Sequence, residues 1–258
     1  MYKIFANTLF TGQKLVFVPE CHSTNSLASE LASQSILSEG TVVITSNQTA
    51  GRGQRGNIWE AAAGLNLTFS ILLRPAFLAV KNQFYLTIVT SLAIADSLKE
   101  KLVDTMKIKW PNDVLVGTKK ICGILIENSI QQETIQQSIV GIGLNINQKV
   151  FAVPTATSLA MVTDKSYDLN EALNSLLENF ERRYLQLRSG KLAELKKEYL
   201  ENLFGFDELR NFVSDEKKFE GKIRDVSNNG ELILSINKKF VSYNLKEISF
   251  VISTQSSL

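Results

Sequence analysis

The sequence predicts an α+β protein, with a large part that mixes strands and helices and a small all-β part behind it. Three observations lead there. Strand-length apolar runs and helical stretches follow one another without strict βαβ alternation. One segment, Phe84 to Leu102, has the length and apolar density of a mostly buried helix. From Phe206 onward the texture changes to short alternating runs separated by turn signals. The 258 residues leave room for one large and one small domain, and the change of texture divides them at 1–205 and 206–258.

Taken in order, Leu15 to Val18 is a short apolar strand. Ser23 or Thr24 then caps a helix carrying Leu27, Leu31 and Ile36 near helical spacing. Thr41 to Thr45 (TVVIT) is β-branched throughout, as in a buried strand. A polar, Gly-rich stretch from Ser46 to Gly64 leads into a strand from Leu65 to Leu73, closed by Arg74-Pro75. Beyond the buried helix come short strands at Lys107 to Trp110, Val114 to Val116 and Ile121 to Glu127, with Gly117-Thr118 as the tight connection between the last two. Ser138 to Ile146 is another strand. Asp168 caps a helix whose Leu169, Leu173, Leu176, Leu177, Phe180 and Tyr184 form one apolar stripe, and a second helical stretch, Leu192 to Leu203, follows Gly190. The runs KFEGKIRDV, ELILSI and KFVSYNL, with a turn at Ser227-Asn228-Asn229-Gly230, predict a barrel of about five strands beginning near Asp207.

Composition narrows the function classes. The formal net charge is +2, from 28 basic and 26 acidic residues, so no field of one sign argues for nucleic acid or membrane as the main partner. The N-terminal stretch lacks the apolar core and cleavage site of a signal peptide, and no apolar run approaches the ~18 residues of a membrane span. Cys21 and Cys122 are isolated, which disfavours structural zinc and a disulfide framework and fits a reducing, cytoplasmic location.

Four motifs carry candidate chemistry. Gly51-Arg52-Gly53-Gln54-Arg55-Gly56 matches G-x-G-x-x-G, but a strand follows it rather than a helix. The region about 20 residues on holds Leu72, Leu73 and Arg74 instead of an acidic residue, which rejects a dinucleotide fold. What remains is a loop with two arginines between glycines, either a solvated surface loop or a mobile grip for carboxylate or phosphate oxygens. Lys107-Ile108-Lys109-Trp110-Pro111-Asn112-Asp113 is either an amphipathic strand ending in a turn or a strand end presenting an amide and a carboxylate, the latter suited to Mg²⁺ beside phosphates. In Lys119-Lys120-Ile121-Cys122-Gly123-Ile124-Leu125, Lys120 enters an apolar run, so its ammonium either stays solvated or points into a cleft. The glycines of Gly141-Ile142-Gly143-Leu144-Asn145-Ile146-Asn147 are otherwise simple packing relief within a strand.

The order and spacing of these motifs carry more than any one of them. Ser23-Thr24-Asn25, then Gln48-Thr49-Ala50-GRGQRG-x-x-Trp59, KWPND, Lys120-x-x-Gly123-Ile124-Leu125 and GxGxNxN resemble the biotin–protein ligase family, from about Pro19 to Asn147. The resemblance implies that family's fold, a class II synthetase-like mixed sheet with helices followed by an SH3-like barrel. It implies ATP-dependent formation of biotinyl-5′-AMP with Mg²⁺, and transfer of biotin to a lysine of a biotin carboxyl carrier protein. By the same resemblance Ser23, Thr24 and Gln48 hydrogen-bond the biotin head group, with Asn25 beside them in the biotin set. Gly51 and Arg52 close over the biotin carboxylate and the phosphate. Arg52, Arg55, Trp59, Lys109, Asn112, Asp113 and Asn145 form the nucleotide site. Lys120 is the catalytic lysine, cancelling repulsion between two anions. Asp113 is the candidate Mg²⁺ ligand.

Two features set the chain apart within that resemblance. Many members carry a second arginine where Gln54 stands, so a neutral amide there bears on how firmly the adenylate is held. About 20 residues precede the Ser-Thr-Asn motif, too few for the helix-turn-helix domain of family members that repress transcription, so no DNA partner is expected. His22, the only histidine, is expected to be incidental. A monomer and a homodimer both remain open. Rival readings are a lipoate–protein ligase and a non-catalytic biotin sensor, and Lys120 argues against the sensor.

Overall fold

A computed structural model describes residues 2–3, 6–34, 37–102 and 106–251, apart from the side chain of Arg55. Ile36, the last apolar position of the first expected helix, lies outside the described residues. The chain runs through β1 (Leu15–Cys21), α1 (Thr24–Ser33), β2 (Val42–Gln48), β3 (Leu67–Leu73), α2 (Tyr85–Leu98), β4 (Met106–Lys109), β5 (Asp113–Val116), β6 (Lys119–Gln131) and β7 (Thr134–Leu144). Then follow α3 (Leu159–Thr163), α4 (Leu169–Arg188), α5 (Leu192–Glu201), β8 (Leu209–Ser214), β9 (Lys217–Val226), β10 (Leu232–Ile236), β11 (Lys239–Tyr243) and β12 (Ser249–Phe250).

The first seven strands form one mixed sheet in the order β1-β2-β3-β7-β6-β5-β4, in which only β1 and β2 are parallel. The last five form an antiparallel sheet in the order β11-β10-β9-β8-β12, as fits an SH3-like unit. Among the described residues no helix is long and apolar enough to cross a membrane.

Strand alternation assigns the two faces of the large sheet. Leu67, Phe69, Ile71 and Leu73 of β3 join the main core with α2 and α4, where Leu173, Leu176, Leu177, Phe180 and Tyr184 are fully buried as the apolar stripe requires. The intervening Leu72, with Val43 and Ile139, packs under Ala28 and Ala32 of α1 on the opposite face. That second face also carries Thr68 and Ser70, and here the site lies. Asp168 caps α4 as expected, its carboxylate accepting from the amides of Asn170 and Glu171. Ser23 stands at the N-cap of α1 but makes no capping bond.

The small sheet meets the large one at the KWPND turn. The buried Trp110 Nε1 donates to the carbonyl of Gly230 at 2.8 Å, and Lys109 Nζ lies 5.5 Å from the centre of the Phe250 ring. Lys196 of α5 pairs with Asp225 at 3.0 Å.

Candidate active site

Register across four strands lays out the floor. Asp113 of β5 stands opposite Gly123 of β6, Gly123 opposite Gly143 of β7, and Gly143 opposite Thr68 of β3. One level along, Leu125, Gly141 and Ser70 are aligned in the same way. A row with glycine at its centre is a trough rather than a packed surface. The indole of Trp59 lies in it, and a Cβ on Gly143 would come within 2.2 Å of that ring. Here the glycines are required by close approach, since both strands are otherwise ordinary.

Lys120 reaches this face through a β-bulge. Val114 pairs with Cys122 but Leu115 pairs with Lys120, so β6 carries an extra residue at Ile121. Strict alternation would put Lys120 on the same side as Cys122, which is fully buried in the core. The bulge re-aims it. Its ammonium meets Asp113 Oδ1 at 2.6 Å and lies 5.5 Å from the Trp59 ring centre, while Lys109 stands 3.8 Å from the other Asp113 oxygen. Burial holds the Lys109 ammonium below its ordinary range; Asp113 pulls it back up and Lys120 pushes it further down. Burial pushes the Cys122 thiol up, so it offers no thiolate nucleophile.

The other end of the cavity is neutral. The Thr24 amide donates to Gln48 Oε1 at 2.8 Å, and Ser70 Oγ lies within hydrogen-bonding distance of Thr24 Oγ1 (2.8 Å) and Asn25 Oδ1 (2.6 Å). Asn25 Nδ2 donates to Glu127 Oε2 at 2.7 Å. The arginine loop folds over both ends as a small hairpin. The Trp59 amide donates to Gly51, the Gly53 amide donates to Asn57, and a 3₁₀ turn spans Gln54–Gly56. Arg52 Nη2 meets Glu127 at 2.9 Å.

One cavity of about 120 Å³ gathers Ser23, Thr24, Asn25, Gln48, Arg52, Trp59, Asn112, Asp113 and Lys120. Gly51 lines the cavity beside it. Lys109 borders the main cavity only through Asp113. Asn145 is not in its wall: it is buried, and Nδ2 donates to the Thr157 carbonyl at 2.9 Å, clamping the segment that follows β7. The side chain of Arg55 lies outside the described residues. Sequence reasoning missed Thr68, Ser70 and Glu127. The first two were marked, as hydroxyls two apart in the otherwise apolar strand LNLTFSILL; Glu127 carried no local signal.

At about 120 Å³ the cavity is below the ~300 Å³ at which small-molecule pockets begin, because Trp59 occupies the trough. The cavity beside it, about 680 Å³, is lined by Gly51, Arg52, Gly53, Asn57 and Ile58 of the same loop. The buried Trp59 Nε1 has no hydrogen-bond partner among the described residues, leaving a donor for one. Among the described residues no three His, Cys, Asp or Glu side chains gather as a metal cage, and the Asp113 carboxylate is shared by two ammonium groups. A magnesium ion at this site would be held chiefly by phosphates.

A fixed lysine–carboxylate pair, a neutral hydrogen-bonding end and an arginine loop thus converge on one cavity. Residues 18–145 match the model of the biotin/lipoate A/B protein ligase family. The bifunctional ligase/repressor BirA of Bacillus subtilis is 30% identical over 88% of this chain and 71% of its own length. The biotin–[acetyl-CoA-carboxylase] ligase of Mycobacterium tuberculosis is 30% identical over 89% of this chain and 86% of its own length. Among solved structures, the biotin protein ligase from Aquifex aeolicus in complex with biotin and ATP superposes with a TM-score of 0.79 at 27% identity, covering 93% of this chain and 100% of that one. The chain belongs to the biotin/lipoate A/B protein ligase family.

Proposed function

We propose that the protein condenses biotin with ATP to give biotinyl-5′-AMP and then transfers biotin to a lysine of a biotin carboxyl carrier protein. The observation that carries this reading is Lys120, bent out of the core by a bulge and fixed 2.6 Å from Asp113 at one end of a cavity whose other end is neutral. In the first step a biotin carboxylate oxygen bonds to the α-phosphorus and the bond to the β-phosphate oxygen breaks, releasing pyrophosphate. Both reactants are anionic. A preorganised ammonium beside them cancels the repulsion and stabilises charge in the transition state. Asp113 holds that ammonium in place, and Asn112, whose amide donates to the Ile124 carbonyl at 2.7 Å, keeps the turn rigid beneath it. In the second step the acceptor amine attacks the acyl carbon, AMP departs and the amine loses a proton.

Thr24, Gln48, Ser23 and Asn25 supply neutral donors and acceptors that suit an uncharged ureido ring. Arg52 supplies a guanidinium for the carboxylate and phosphate, and Trp59 a wall for the adenine. Magnesium carried by the nucleotide phosphates would add further charge neutralisation. Biotin-dependent exchange of pyrophosphate into ATP, followed by labelling of an added carrier domain, tests both steps. Exchange driven by lipoate and not by biotin would move the chain to the other branch of its family.

A further inference from the structure

Glu127 stands where the lid meets the sheet. One of its oxygens, Oε2, accepts from two sides: from the lid guanidinium of Arg52 at 2.9 Å and from Asn25 Nδ2 at 2.7 Å. Asn25 is itself held from several sides. It is buried, its Oδ1 is 2.6 Å from Ser70 Oγ, and it leans so closely over Gly141 that a Cβ there would come within 2.3 Å of that oxygen. Glu127 is thus tied on its inner side to a buried network and offers the lid a carboxylate held from the sheet. The lid's own hydrogen bonds run mainly within the hairpin, between Gly51 and Trp59 and between Gly53 and Asn57. Arg52 to Glu127 is the only ion pair joining it to the sheet among the described residues.

A guanidinium has five N–H donors in a planar fork, so a carboxylate on one edge leaves the remaining edge to another anion. Arg52 lines the main cavity and both cavities that flank it, while Glu127 lines only the flanking two. The carboxylate therefore grips the arginine from outside the site. We propose that Glu127 is a positioning residue that aims the free edge of Arg52 at the ligand carboxylate and phosphate, anchoring the closed lid through Asn25. This rests on the ligase reading above. Both partners are half-exposed, so the anchor is weak enough to release when the lid lifts.

Glu127→Ala should raise the KM for biotin and speed escape of the adenylate two- to fivefold, the range of an exposed ion pair, with kcat for pyrophosphate exchange little changed. Glu127→Gln, which keeps an acceptor oxygen for both partners, should fall between Glu127→Ala and wild type. In a double-mutant cycle, Glu127→Ala should have almost no further effect on an Arg52→Ala background. An independent arm needs no ligand: trypsin should cut the lid at Arg52 faster in Glu127→Ala than in wild type. Additive effects of the two alanine variants, or a KM and escape rate equal to wild type in Glu127→Ala, would overturn the inference. Should the wild type show no biotin-dependent exchange, the ligase reading fails, and the trypsin comparison alone then decides the anchor: faster cleavage sustains it and equal cleavage overturns it.

Discussion

The cavity has two cationic walls that are built in opposite ways. The floor lysine, Lys120, rises from a strand inside a seven-stranded sheet, turned by a bulge and pinned 2.6 Å from Asp113. The lid arginine, Arg52, sits on a glycine-flanked hairpin whose internal ties are backbone bonds within the loop and whose ion pair to the sheet is half-exposed. In the proposed reaction both groups answer the same need, a positive charge for an anion. The difference lies in when that charge is required. A cation acting in the transition state gains from having no freedom, since reorganising it would cost rate. A cation that captures ligand and excludes water must move.

The comparison breaks most readily at the floor. Lys120→Ala should lower biotin-dependent pyrophosphate exchange by ~10²–10³, about 3–4 kcal/mol, while biotin binding measured by calorimetry persists. Near-normal exchange would remove the distinction between the walls.

Gly143→Ala comes next. Its Cβ would meet the Trp59 ring at 2.2 Å, so the lid cannot seat in the trough without rearrangement, at a cost of ~1–3 kcal/mol. Trp59 emission, isolated by subtracting the spectrum of the matching Trp59→Phe variant, should shift toward that of a solvated indole, and apparent biotin affinity should fall. An unshifted spectrum would mean that the trough can widen.

Arg52→Gly tests the lid as a retainer. Loss of a charge-assisted hydrogen bond worth ~1.5–3 kcal/mol should shorten the lifetime of bound adenylate by at least tenfold, with free lysines of unrelated proteins becoming labelled. An unchanged lifetime would reduce the lid to a passive cover. The smallest effect concerns Lys109. Burial lowers its pKa from 10.5, so the unfolded chain binds more protons, and stability should rise with pH from the lowered value up to about 10.5. Urea unfolding at several alkaline pH values should show this rise in wild type and lose it in Lys109→Met.

The sheet order could not be read from the sequence, but most elements could. The β5–β6 hairpin turns at Gly117 with φ +59°, where Gly117-Thr118 placed it, and β6 and β7 each run several residues beyond the apolar runs that marked them. Those extensions, Asn128 to Gln131 and Thr134 to Gln137, are mostly polar and pair with each other; each has a single isoleucine, Ile130 and Ile135, too sparse to mark a strand although Ile135 is buried in the core. Motif order located Lys120, yet the bulge that turns it is a property of pairing register and invisible in a linear reading. Asn145 adds what a linear reading lacks: its side chain is buried, with Nδ2 donating to the Thr157 carbonyl while Oδ1 has no partner among the described residues.

The hydrogen bond from Trp110 to Gly230, with Phe250 beneath Lys109, bears on how freely such proteins can be recombined. The turn that carries Asn112 and Asp113 is braced by a loop of the small sheet that begins more than a hundred residues later in the chain. A chimera that exchanged the carboxy-terminal part for a relative's would therefore alter the mounting of the Asp113–Lys120 pair, even with every cavity residue retained. To graft cleanly, the incoming part must bring a glycine at position 230, whose φ of +99° aims its carbonyl at Trp110 and where a Cβ would come within 2.6 Å of Phe84, and an aromatic ring at the position of Phe250. Without them, the two sheets are not interchangeable modules.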